Sequence, residues 1–407
     1  GSDPACGAAH RPLRTDPGTV IMRARRCVRA GVLAAALAAL ATPVPAFAPV
    51  AAAQDYACAV PAHLPADTPL PAPGPERHAL HRFATGAGVR VAVIDTGVAH
   101  HPELDQLIAG RDFVDAGAPN PFADCDSHGT IVAGIIAGTS RGIAPHAEII
   151  SIRQTSAHYR NRAGDAELAE YAGTLETLAA AIHNALDEHA RVINISVVSC
   201  LPPEVAQLVD MAPINDALMR AEHSGAVVIA AAGNTTEACE QGFSVIPAHS
   251  PTVIAVGARA TNHALADYSI TVPGPFVSAD GTVSYALASD GAGWATGTVA
   301  GRDRISQYVG TSFAAPRVAG AVALLLQRYP YLSPHQVREL VFAAAEPGDG
   351  AIDPLRVISQ LPPEVLEEQD PLVITPAAKE RSSAPGRGLI ALAAALLLAG
   401  VTLSLIH

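Results

Sequence analysis

The sequence lacks the usual means of holding a metal ion. It has neither a CxxC nor an HxxxH pair, and no local calcium-ligand pattern. Positive charge is also scarce, with 26 Lys and Arg against 38 Asp and Glu. Six Arg against Asp3 and Asp16 give residues 1–53 a charge of +4, so within the net −12 the remainder carries −16. So acidic a body repels nucleic acid, which removes that class of partner. No internal repeat is present. What the chain does have is 407 residues, 49% of them hydrophobic, ample core for one large domain or two ordinary ones.

The two ends read as addresses rather than as fold. From Met22, MRARRCVRAGVLAAALAAL sets four Arg before an apolar run, Gly31 to Leu40, and small residues continue through Ala53. Residues 22–53 are therefore expected to be a secretory signal peptide, with 1–21 upstream of the true start. Leu389 to Ile406 gives 18 residues without a charge. At the helical rise this covers about 27 Å of hydrocarbon, enough for a membrane-spanning helix after a linker at 361–388. Lys379, Arg381 and Arg387 precede the span and no Lys or Arg follows it, against the positive-inside preference for an exported body. A cytoplasmic tail beyond the sequence would account for that. The expected place is the extracytoplasmic side of a cell membrane, held by one C-terminal helix. Cys58, Cys125, Cys200 and Cys239 remain after export, an even count that predicts two disulfides with three connectivities open.

Between the ends, Gln54 to Arg77 is Pro-rich and is expected to be extended, without a core of its own. From there short apolar runs alternate with helical patterns. VRVAVI (89–94), AEIISI (147–152), RVINISVV (191–198), AVVIAAA (226–232) and TVIAVGA (252–258) read as strands of a parallel sheet buried on both faces. Leu175, Leu178, Ala179, Ile182, Ala185 and Leu186 recur at helical spacing. Ser333 as N-cap with Pro334 at N1 starts another helix. The expectation is an α/β fold at 86–360, a doubly wound, mostly parallel sheet with helices on both faces.

In such a sheet, chemistry gathers at the carboxyl ends of the strands. VAVIDTGV ends a buried strand on Asp95, a place where a carboxylate can orient an imidazole and stabilise its cation. DSHGTIVAGIIAG puts His128, a side chain suited to proton transfer near neutrality, before a helix of small residues. GTSFAAPRVAGAVALLLQRYP puts Ser312 at the positive start of a long helix, where its own N–H can face a developing oxyanion. AVVIAAAGN ends a strand on Gly233 and Asn234, a candidate second oxyanion donor. Each motif also has an ordinary reading: a strand-end cap, a surface histidine, a helix N-cap, a turn. Their number and order decide for catalysis.

Asp, His, Asn and Ser in that order, within VIDTGV, SHGT, AAGN and GTSFAAP, resemble the subtilisin-like serine proteases. Within that family the chain most resembles the mycosins, membrane-anchored proteases of mycobacterial type VII secretion systems. FATGAGVRVAVIDTGV, DCDSHGT, VINISVVSC, AAGNTTEAC and YACAVPAHLP carry the likeness. The resemblance implies Asp95, His128 and Ser312 as the catalytic triad, and Asn234 with the Ser312 amide as the oxyanion hole. It also implies no cofactor, protein or peptide substrates, and type VII secretion membrane components as partners. A structural role in that complex is the alternative function.

Two departures stand out. SVVSC replaces the Gly-rich strand that lines the cleft in many subtilisin-like enzymes, and Gly274 to Gly310 lacks their APG signal, so no conformation is assigned to it. The stretch between Ala53 and Val89 is too short for a folded inhibitory prodomain. By the resemblance, residues 54–85 form a strap around the catalytic domain, expected to stay attached in the active enzyme. Cys58 bonded to Cys125 would pin the strap beside His128, and Cys200 with Cys239, each following a strand near the cleft, would be the second pair.

Overall fold

The chain begins its regular structure with a short strand, β1 (Pro61–His63), and then lays down β2 (Arg90–Asp95), β3 (Leu107–Asp112), β4 (Glu148–Arg153) and β5 (Val192–Ile195). Next come β6 (Ser199–Leu201), β7 (Val227–Ala231), β8 (Ser244–Ile246), β9 (Val253–Thr261) and β10 (Ala264–Leu265). β11 (Val277–Asp280), β12 (Thr282–Val283), β13 (Ala286–Leu287), β14 (Trp294–Val299) and β15 (Ile305–Val309) complete the set. This computed structural model describes residues 58–160, 173–261, 264–301, 304–362 and 384–404. The expected signal peptide and most of the 361–388 linker lie outside the described residues.

Eight strands form the main sheet in the order β10-β9-β7-β5-β2-β4-β3, with β11 added beside β9. β9 and β10 pair antiparallel, and the other pairings of the sheet are parallel. Both faces are buried, which is why the central strands read as near-continuous apolar runs rather than alternating ones, with Ser151 and Asn194 as fully buried polar exceptions. Val91 and Val93 of β2 join one core cluster, and Ala92 and Ile94 join the other. Helices Gly129–Ala137 and Thr311–Arg328 supply the first cluster; helices Leu175–Asp187 and Ala212–His223 supply the second. The expected amphipathic face of helix Leu175–Asp187 is the buried one, and Thr174 caps it by accepting from Thr177 N. Ser333 and Gln336 form a capping box on helix Pro334–Ala344. This is the doubly wound, mostly parallel α/β fold expected from the sequence.

Elsewhere the sequence was less informative. β3 alternates between half-buried and exposed residues, so it never shows as an apolar run. The unassigned stretch after Gly274 supplies β12, β13, β14 and β15, which join β1 in a second, five-stranded sheet. β1 pairs antiparallel with β14, and Leu64 N donates to Trp294 O at 2.8 Å. The strap segment is not wholly extended either: Pro75–His81 forms a helix. Pro75 near its start is pre-set for helical φ, and burial of Leu80 anchors the turn. Near the C-terminus, Ala384–Ser404 is helical, with Leu389, Ile390, Leu392 and Leu396 to Leu398 exposed. Among the described residues no helix is long and apolar enough to cross a membrane. The expected span, Leu389 to Ile406, runs past them.

Candidate active site

Asp95 closes β2 and is fully buried. Thr96 N donates to its Oδ1 at 2.8 Å, and His128 Nδ1–H donates to the same oxygen at 2.6 Å. His128 lies 33 residues further on, at the start of helix Gly129–Ala137. The two meet because the turn after β2 and the helix start approach closely: a Cβ on Gly129 would lie 2.0 Å from Gly97 O, so only glycine fits there. With Nδ1 engaged by the carboxylate, Nε2 is left as the basic nitrogen. Burial works against the imidazolium. The charge of Asp95, the hydrogen bond to it, and the charges of Asp124 and Asp126 outweigh burial and raise the His128 pKa above the ordinary histidine value.

Ser312 sits in the first turn of helix Thr311–Arg328, half-buried. It is not the helix cap, since Gly310 occupies that position without a side-chain bond. The next residue, Phe313, lays its ring 5.1 Å from the His128 ring, so the helix that bears Ser312 begins beside the imidazole. Ser196, at the end of β5, donates its hydroxyl to Ser312 O at 2.9 Å and accepts from Asn194 Nδ2 at 2.9 Å. That tie was not read from the sequence, where Ser196 marked only the start of a departure.

Asn234 follows β7. Its Oδ1 accepts from Thr311 N at 2.9 Å and from Thr311 Oγ1 at 3.1 Å, which leaves Nδ2 as a free donor at the start of the same helix. A Cβ on Gly310, two residues before Ser312, would lie 3.1 Å from that Nδ2, tighter than ordinary contact, so a side chain there would crowd the amide. The four candidate residues thus come from the ends of β2 and β7 and the starts of two helices, gathered at the carboxyl ends of the sheet's central strands.

The cysteines flank these strand ends. Cys58 is joined to Cys125, three residues before His128, and Ala59 N donates to Cys125 O at 2.8 Å. Cys200, in β6, is joined to Cys239, just ahead of β8, and β6 pairs antiparallel with β8. A cavity of about 230 Å³ lies at the same strand ends, lined among others by Gln154, Thr174, Leu178, Val197 and Val198. Gln154 N donates to Asp95 O at 2.8 Å, which ties that cavity to the site. Among the described residues no cluster of His, Cys, Asp or Glu could hold a metal ion.

The Subtilase family matches residues 86–366. The chain belongs to that family, and the protein is a serine endopeptidase with a subtilisin-like fold. Mycosins are among its relatives within the family. It is 33% identical to Mycosin-1 of Mycolicibacterium smegmatis over 371 residues, covering 79% of each chain. It is 35% identical to Mycosin-4 of Mycobacterium tuberculosis, covering 75% of this chain and 72% of the relative. Among solved structures it superposes on the MycP3 protease from the type VII (ESX-3) secretion system with a TM-score of 0.66 at 33% identity. That match covers 76% of this chain and 94% of the other.

Proposed function

We propose that Asp95, His128 and Ser312 form the catalytic triad of a membrane-anchored, extracytoplasmic endopeptidase that cleaves a few exported proteins alongside type VII secretion components. One observation carries the reading: the Asp95–His128 hydrogen bond lies beside the helix start that bears Ser312 and is held by Asn234. His128 Nε2 takes the Ser312 hydroxyl proton as Oγ bonds to the peptide carbonyl carbon, and the imidazolium is stabilised by Asp95. Asn234 Nδ2 and the Ser312 N–H donate to the resulting oxyanion. His128 then gives the proton to the leaving amine, and water repeats the sequence to free the acid and restore the serine. The terminal apolar segment is the anchor, and the acidic body stands outside the membrane.

The test is labelling by a fluorophosphonate probe. The wild type is expected to label and Ser312→Ala, equally folded, is not. Equal labelling of both would remove Ser312 as the nucleophile. A second reading, a structural component of the secretion complex, is supported by the 30% identity, over 86% of this chain, to a chain of an intact ESX-5 inner membrane complex. Assembly of the complex around Ser312→Ala, and its loss on deletion of the protein, would favour that role.

A further inference from the structure

The helix that carries the catalytic histidine has an unusual start. His128 itself occupies the N-cap position, with φ −124° and ψ −56°, and makes no capping bond. Helices place Ser, Thr, Asp or Asn there because the first N–H groups need acceptors. Here the side chain at that position is committed to Asp95, so the acceptors come from elsewhere. Thr96 Oγ1 accepts from Gly129 N at 3.0 Å, and Asp124 Oδ2 accepts from Thr130 N at 2.9 Å. Asp124 Oδ1 accepts from His128 N at 3.2 Å and from Thr96 Oγ1 at 2.7 Å. One buried carboxylate, 8% exposed, therefore joins the residue after Asp95 to the backbone of His128 and to the first turn of its helix. Between Asp124 and His128 the chain turns through Ser127 at φ 54°, a left-handed conformation rare for serine, with its hydroxyl paired to Ser289.

There is an electrostatic side as well. A helix N-terminus carries positive potential, which opposes a cation on the residue at its cap. Catalysis by His128 requires such a cation to form. Its surroundings reverse the bias: β2 presents Asp95, the preceding loop presents Asp124 and Asp126, the nucleophile helix presents the neutral Phe313 ring, and β15 presents Tyr308. Asp126 spends Oδ1 on Ala157 N and His158 N, away from the helix start. Among these carboxylates Asp124 is the one that accepts from backbone N–H groups at the helix start.

We propose that Asp124 is a positioning residue of this site: its carboxylate caps the helix beneath the imidazole, fixes the backbone of His128, and supplies the negative charge that offsets the helix end when the imidazolium forms. The proposal rests on the reading of His128 as the base. Each contact on Asp124 is a donor, the pattern of an ionised carboxylate. Burial pushes its carboxyl above the usual carboxylate range, against hydrogen bonds from Thr130 and Thr96.

The experiment measures the rate of fluorophosphonate labelling per active site, counted at saturation, as a function of pH. His128 must be neutral to act as a base, so the rate rises through its pKa. Removing a negative neighbour destabilises the cation and moves that limb to lower pH. Asp124→Asn is expected to shift the limb this way and to lower the plateau about tenfold, the kinetic equivalent of one lost hydrogen bond to a charged group. A purely structural residue would change the number of active sites and leave limb and plateau in place. That outcome overturns the proposal. If Asp124→Asn does not fold, Thr96→Val removes the hydroxyl that ties Asp124 to the strand and keeps the charge. It should lower the plateau with the limb unmoved, and a wild-type plateau would overturn the positioning role. Ser312→Ala labelling like wild type would instead sink the triad reading.

Discussion

Asn234 holds Thr311 through Oδ1, and in the proposed mechanism its Nδ2 serves a second duty as donor to the oxyanion. The duties can be separated. Asn234→Asp keeps the acceptor and loses the donor, and kcat on a chromogenic peptide should fall about a hundred- to thousandfold with KM little changed. A variant with the wild-type kcat would show that the oxyanion is held by other groups. Asp95, His128, Asn234 and Ser312 were legible in the sequence because each sits in a motif at a strand end or a helix start, where reactive groups in such sheets gather. Asp124 and Ser196 were not: Ser196 acts on the backbone of Ser312, brought near only by the fold, and the partners of Asp124, though local, depend on how the loop before the helix turns. Asp124 is in the quoted DCDSHGT run, yet nothing in that run says that its carboxylate replaces a missing helix cap.

At the scale of elements, the strap is held in two ways, by a disulfide and by strand pairing. Cys58 and Cys125 are 67 residues apart, and chain-entropy estimates for closing such a loop give about 4 kcal/mol. Replacing both with Ser should lower the denaturation midpoint accordingly and loosen the loop that bears Asp124. An unchanged midpoint would mean that the β1–β14 pairing holds the strap unaided. The largely apolar strands β2, β4, β5, β7 and β9 were readable because burial on both faces leaves few polar positions. β3 and the second sheet were not. β3 lies at the sheet edge and is only half-buried, and β12 and β13 are two residues each, too short to show a period. The helix Pro75–His81 was hidden by the prolines around it, although Pro75 is the residue that starts it.

At the scale of the whole molecule, the proposed anchoring makes the acidic body and the apolar C-terminal segment separable parts. Truncation near Pro371 should release a folded, soluble body that fractionates away from membranes. A truncated protein that still pellets with them would show that another surface binds the bilayer or a membrane partner. The strap carries a further consequence for that soluble body. β1 lies along one side of β14, while β13 and β15 share the other, so the strap completes the hydrogen bonding of a strand that would otherwise be an open sheet edge. Such an edge is a template for any other extended chain. A preparation trimmed past His63 would leave that side of β14 bare and is expected to aggregate through it, as light scattering would report; a trimmed protein that stays monomeric would show that β14 needs no cover.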